Sequence, residues 1–213
     1  LLSAVPEEHP VLLAETSATS AAIREKVAET MFEGADAIGL CCVKSSVLAL
    51  LSVGKTTGTV LNVGHENTQA ASVYEGSEIP VTVREGELSG CDLSSYLESL
   101  SSALNPVTTE TSPAERMQLL KSSLFVSCDP SYEMKHSASA PAKSFRLPDG
   151  AELPYNERFM CPEILFTPKR IGHTCPSIQR LIHGAVLRSP KEIQPDLLAN
   201  IVLCGGTTLI KGL

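Results

Sequence analysis

The chain has 213 residues, 43% of them hydrophobic and 19% charged, which makes it globular and long enough for one large or two small domains burying roughly 70% of the unfolded surface. Seventeen basic against 24 acidic residues leave a net charge of −7, which argues against nucleic acid as the main partner. No apolar run reaches the length of a membrane span and no signal-like leader stands out, so no membrane partner is expected. The seven cysteines are scattered, with none at CxxC spacing, and read as reduced, buried or half-buried thiols of a cytosolic or nuclear protein. The five histidines show no ligand spacing either, so no metal site is expected.

In chain order, Val11-Leu12-Leu13 reads as a short strand of the buried type. Ser20 can cap a helix whose apolar positions Ile23, Val27 and Met31 fall at i, i+4 and i+8. Residues 37–43 are a second strand-like run. Residues 45–53 form an apolar helix that Gly54 ends in the C′ role. Ala49, Gly54, Lys55 and Thr56 come close to P-loop spacing. A working P-loop is Gly-rich, follows a strand and opens a helix, because its backbone N–H groups must wrap phosphates. Here the spacer Leu50-Leu51-Ser52-Val53 is helical in character and a strand follows, so Lys55 is expected to be a solvated turn residue.

Residues 54–76 read as a tight β-hairpin. One strand carries Thr59, Val60 and Leu61, the turn lies between Asn62 and Asn67, and the return strand carries Ala70, Ala71, Val73 and Tyr74 toward a further turn at Glu75-Gly76. Leu93, Leu97, Leu100 and Leu104 then share one helix face. Pro113 stands at the first position of the next helix, with Ser112 and Glu115 as a capping box and Met117, Leu120 and Leu124 as its buried stripe. Residues 136–144 read as a surface loop, and Asp149-Gly150 as the turn of a second hairpin. Pro162 is expected to start a short helix and Pro176 another, with Ile178, Leu181, Ile182 and Ala185 inward. Ile201-Val202-Leu203 reads as a buried strand running into Gly205-Gly206 and a last helix. Alternating strands and helices make the class α/β.

The 54–76 hairpin resembles the second phosphate-binding hairpin of the actin family. PEEHPVLLAE, REK followed by MFE, GKTTG, VYEG, SGCDLSSYL, LPDG, NERFMCPEILF and CGGTTLIKGL match actin segments in the same order, over essentially the whole chain. The resemblance implies the actin, sugar-kinase and DnaK-type ATPase fold in part. Residues 1–52 would be a remnant of the outer small domain (subdomain 1), residues 53–88 and 174–213 the inner base domain (subdomain 3-like), and residues 89–173 the inserted upper lobe (subdomain 4-like). Relative to actin the sequence lacks the first phosphate loop and the C-terminal part, as a fragment or a partly known sequence would.

The same resemblance implies a nucleotide site made from Gly64, Lys121, Gly205, Gly206 and Thr207, and implies that it is vestigial. The family's Asp-x-Gly-Asp-Gly reads Asn62-Val63-Gly64-His65-Glu66 here. Nucleotide hydrolysis in this fold needs anionic oxygens for a hard cation and close backbone approach to phosphate. Asn62 lacks the charge, His65 is a poor ligand for Mg²⁺, and Glu66 adds negative charge that costs roughly 4 kcal/mol at ~4 Å and an effective dielectric of about 20. The hinge glutamine falls on Ser45, the γ-phosphate-sensing histidine on Gln69, the adenine-covering aromatic on Ile210 and the pocket glutamate on Ser122. Gly205-Gly206 also has a purely structural reading, as a strand-to-helix turn. No catalytic residue, no metal ligand and no resident cofactor are therefore expected, with weak ATP or ADP binding as the residual capacity.

The loop aligned with actin's apolar filament plug spans residues 168–175 and has the tip Arg170-Ile171-Gly172-His173. Burying an unpaired Arg costs several kcal/mol, which disfavours an actin-type homofilament. The resulting expectation is a divergent actin-like structural or scaffolding subunit, not an ATPase, in the cytoplasm and cytoskeleton. Its partners would be other proteins of a cytoskeletal, axonemal or nuclear assembly. The alternative is an ATP-binding, polymerising actin whose remaining motifs lie outside this sequence.

Overall fold

A computed structural model describes residues 5–102, 113–137, 144–146 and 152–213. After a 3₁₀ turn at Pro6–Glu8, β1 (Val11–Glu15) and β2 (Leu40–Lys44) pair in parallel, with Val11 opposite Leu40 and Glu15 opposite Lys44. Parallel neighbours need a crossover, and α1 (Ala21–Glu29), continued by a π turn at Thr30–Gly34, supplies it. Ser20 caps α1 as its sequence suggests: its Oγ accepts from the Ile23 N–H at 3.3 Å. The apolar stripe expected of α1 is not buried. Ile23 is 56% exposed and no residue of α1 is buried, because among the described residues no element packs over that face closely enough to cover it.

β2 runs directly into α2 (Ser45–Ser52), which buries Ser46, Val47 and Leu50. Gly54 adopts φ +70° just past it, and the N–H groups of Gly54 and Lys55 return to the carbonyls of Leu51 and Leu50. The segment before Lys55 is thus a helix that closes on itself. Its last amides are spent on its own carbonyls and no cradle for phosphate opens there.

The central sheet has the order β5-β4-β3-β9, with β6 pairing β4 as well. β3 (Gly58–Val63) and β4 (Thr68–Tyr74) are joined by residues 64–67, a turn two residues tighter than the sequence pattern suggests. The N–H of Gly64 donates to the carbonyl of Asn67 at 2.8 Å and closes it. β5 (Ser77–Glu78) returns from β4 with Tyr74 opposite Ser77, and β6 (Arg84–Gly86) pairs the other end, Thr68 opposite Gly86. Among the described residues β9 (Ile201–Cys204) pairs only with β3 and is not a buried strand: Ile201 and Leu203, two positions apart and so on one face, are 44% and 40% exposed because nothing described covers that face.

The helices that follow are α3 (Gly90–Ser102), α4 (Pro113–Ser122), α5 (Pro130–Ser137), α6 (Tyr155–Glu163), α7 (Ile178–Leu187) and α8 (Gln194–Ala199). Leu93 and Leu97 of α3 are buried as their spacing predicts, while Leu104 and the Ser112 half of the capping box lie outside the described residues. His136 and Ser137 belong to α5, not to a loop; residues 138–143 lie outside the described set. β7 (Phe145–Arg146) and β8 (Glu152–Leu153) form the second hairpin, whose Asp149-Gly150 turn is likewise outside it.

Pro162 does not start a helix; it sits inside the last turn of α6. A proline there removes the N–H that would bond the carbonyl four residues back. That carbonyl belongs to Arg158, and it accepts from the Phe125 N–H at 3.1 Å instead. The missing intrahelical bond is therefore replaced by a tertiary one. Pro176 precedes α7 by two residues, and Leu181 and Ala185 face inward as read. The last helix expected after β9 is a single 3₁₀ turn, Gly206–Leu209.

The chain divides into two compact units: Leu1–Val60 with Ala71–Val83 and Gly184–Val202, and Leu61–Ala70 with Arg84–His183 and Leu203–Leu213. In the first, Leu50 is fully buried. A Cβ on Gly58 would meet the Leu50 side chain at 2.9 Å and the Asn200 carbonyl at 2.4 Å, so glycine is required for that packing. In the second, Leu93, Leu97, Leu153, Phe159, Ile164 and Leu165 make the core. Phe125, Tyr155 and Phe159 cluster there with centroids 5.6–5.9 Å apart.

Candidate functional site

In the second unit, three backbone segments converge on the tip of the β3–β4 hairpin. The α3 N-terminus delivers the Gly90 N–H to the Gly64 carbonyl at 2.9 Å and the Cys91 N–H to the His65 carbonyl at 2.7 Å. The turn after β9 delivers the Thr207 hydroxyl to the same Gly64 carbonyl at 3.1 Å. α3 starts here because Ser89-x-x-Asp92 is a capping pair: the Asp92 carboxylate accepts from the Ser89 N–H at 2.8 Å and from its hydroxyl at 2.9 Å. The hairpin tip is therefore held by backbone groups that would otherwise be available to a ligand.

Glycine is what lets the segments approach. A Cβ on Gly90 would lie 2.5 Å from the Thr207 Oγ1, and one on Gly205 would lie 2.4 Å from the Val63 carbonyl and 2.6 Å from the Asn62 Oδ1. Gly205 also has φ +93°, ψ 150°, a region that only glycine occupies freely. Its structural reading accounts for it fully. Gly206 differs: it has no positive φ, and nothing lies within 4 Å of where its Cβ would be.

Gly206 lines a cavity of about 710 Å³, a volume ordinary for small-ligand pockets. Gly90, Lys121, Gly206, Thr207 and Ile210 line it, with Leu93, Leu124 and Leu209 as apolar walls. Of the five residues read as site residues, Lys121, Gly206 and Thr207 reach the cavity. Gly64 reaches it only through Thr207, and Gly205 is buttressed against the hairpin. Two of the positions that depart from the actin pattern, Ser122 and Ile210, also lie on the wall. Met117 and Gln118 line it too, so Met117 serves the cavity rather than only a buried stripe. Ser89-Gly90 before an amphipathic run marks a helix start, but nothing local marks Gly90 as a site residue. What it contacts is 26 residues back and 117 ahead, beyond any local signal.

Lys121 is the one charged side chain among the described lining residues, which makes this wall cationic between apolar sides. It suits an anionic or aromatic ligand, and none of the described lining residues is a carboxylate. At the hairpin tip His65 and Glu66 are exposed, and Asn62 turns its carboxamide oxygen against Gly205. Nearby, Cys161 is chemically quiet. Burial, and after it the charge of Glu157, push its thiol up to about 12, and its Sγ donates to the Leu93 carbonyl. The other cysteines are also free, but Cys41 and Cys128 are exposed, not buried or half-buried as read.

The sequence model of the actin family matches residues 1–213. The chain belongs to the actin family. It is 37% identical over 218 residues to an actin-like protein of Neurospora crassa, an alignment covering 99% of this chain and 57% of that relative. The chain thus spans little more than half the length of that curated relative. Membership assigns the sheets and helices described above to a part of the actin-type ATPase fold.

Proposed function

We propose that this actin-family chain acts as a structural or scaffolding subunit of a cytoskeletal or other multiprotein assembly, and that nucleotide hydrolysis is lost. The observation that carries the reading is the hairpin tip. Its carboxamide at Asn62 packs on Gly205, and its backbone carbonyls at Gly64 and His65 are taken by Thr207, Gly90 and Cys91. Hydrolysis of a phosphoanhydride requires a cation to neutralise developing charge and a positioned water. The tip offers no anionic oxygen at residue 62, and the Gly64 N–H and the donors that meet the Gly64 and His65 carbonyls are already engaged. A folded frame with an idle site is what a docking subunit needs, and the partners would be proteins of the same assembly.

One observation favours the competing reading, an ATP-binding, polymerising actin completed by segments of a longer protein. The cavity keeps Lys121 and leaves the Gly206 side open. A titration of the full-length protein with ATP and Mg²⁺, read by calorimetry and by phosphate release, decides between them. The scaffold reading expects no phosphate release and at most weak binding. Micromolar binding with steady phosphate release overturns it.

A further inference from the structure

We propose that Glu87, His173 and Cys175 form a binding site for a divalent transition metal ion, zinc by preference, with water as the fourth ligand. All three belong to the second unit, and a carboxylate oxygen, an imidazole nitrogen and the thiol sulfur lie within 4.8 Å of one another. Zinc holds N and O ligands at about 2.0 Å and S at about 2.3 Å, so its tetrahedral ligands stand about 3.5 Å apart. The donor atoms must therefore draw together by at most about 1.3 Å to hold the ion.

The backbone on both sides of the cluster is fixed, which makes the convergence more than a chance meeting of surface groups. Glu87 follows β6, which is paired to β4, and precedes Leu88, whose carbonyl accepts from the Thr68 hydroxyl at 2.6 Å. Gly172 at φ +79° ends the 3₁₀ turn Pro168–Ile171 and redirects the chain, and the His173 N–H returns to the Pro168 carbonyl at 3.2 Å. Beyond Cys175 the chain is tied again where the Ile178 N–H meets the Leu165 carbonyl at 3.1 Å.

The donor set selects the metal class. One thiolate, one imidazole and one carboxylate suit borderline-soft ions, whereas magnesium and calcium want several hard oxygens. Glu87 and His173 are exposed, leaving a path for the ion and room for water. A bound metal would clasp the 168–175 loop to the segment after β6. This inference does not depend on the scaffold reading.

The test uses untagged full-length protein, freed of metal by a chelator and titrated with Zn²⁺ against a competing chromophoric chelator, and with Co²⁺ followed by absorption. The expected result is one high-affinity ion per chain, a thiolate-to-cobalt charge-transfer band with tetrahedral d–d bands, and a higher melting temperature with Zn²⁺. Cys175→Ser and His173→Gln should each weaken Zn²⁺ binding more than about tenfold, while Cys128→Ser should leave it unchanged. Both altered side chains are at least partly exposed, and circular dichroism reports whether the variants fold. Failure of the parent protein to bind one ion tightly, or binding that survives both substitutions, overturns the proposal.

Discussion

Glu15 is buried on β1, and the Arg24 guanidinium grips its carboxylate through two 2.7 Å hydrogen bonds while Lys44 stands 3.3 Å away. The Arg24 bonds hold its pKa down to about 2 against the opposing cost of burial, with Lys44 adding to the lowering. A depressed carboxylate stabilises the fold above its unfolded value and loses that contribution as pH falls through its folded value. The cluster should therefore weaken between about pH 4.5 and pH 2. Denaturant midpoints measured across that window should fall less steeply for Glu15→Gln than for the parent chain. The two adjacent glycines after β9 should separate as sharply. Gly205→Ala meets backbone at 2.4 Å from a glycine-only conformation and should cost at least about 2 kcal/mol. Gly206→Ala meets nothing and should change stability by less than about 1 kcal/mol. Equal losses in chemical denaturation would contradict the assignment of Gly206 to the cavity.

Among the elements, the β4–β5 connection shows how a turn can be read from sequence and still be imperfect. Glu75 and Gly76 have φ +48° and +78°, the type I′ geometry that suits the twist of a two-residue hairpin. Glu75 is an uncommon residue there, since a Cβ in the left-handed region costs roughly 1–2 kcal/mol. Its N–H donates to the Thr57 Oγ1 at 3.0 Å, which helps to hold it. Glu75→Asn keeps that N–H and adopts the conformation more readily. It should stabilise the chain by about 0.5–1 kcal/mol, measurable as a higher denaturation midpoint at unchanged slope. α6 teaches the converse. Pro162 looks like a helix start because proline is tolerated in a first turn. Only the Phe125 N–H arriving from elsewhere makes it acceptable in the last turn.

At the scale of the whole molecule, the cavity in the second unit needs α3, α4 and the turn after β9 at once. The core beneath it should be sensitive. Leu97 is fully buried, and Leu97→Ala should cost about 2–5 kcal/mol and lower the melting temperature by several degrees. The surface leads to a separate expectation. Arg170 is exposed on the 168–175 loop, its Nη1 donating to the Met160 Sδ at 3.6 Å. Since burying an unpaired guanidinium is costly, high-speed sedimentation of the pure full-length protein should find no homofilament. Pelleting that Arg170 variants do not alter would remove that argument.

Much of this protein was decided by local pattern. The β3–β4 hairpin, the Ser20 cap, the Gly54 stop and the Glu75-Gly76 turn follow from residue types a few positions apart, because turn, cap and strand preferences act over that range. The ordered actin-like segments carried the family in the same one-dimensional way. Tertiary structure decided what depends on neighbours distant in sequence: the exposure of Ile23 and of β9, the place of Pro162, and the grip of Arg24 and Lys44 on Glu15. It also decided which glycine is structural and which faces a cavity, and that Glu87 meets His173 and Cys175. Packing, burial and ligand geometry are set by distances in space, and the order of residues along a chain does not by itself contain those distances.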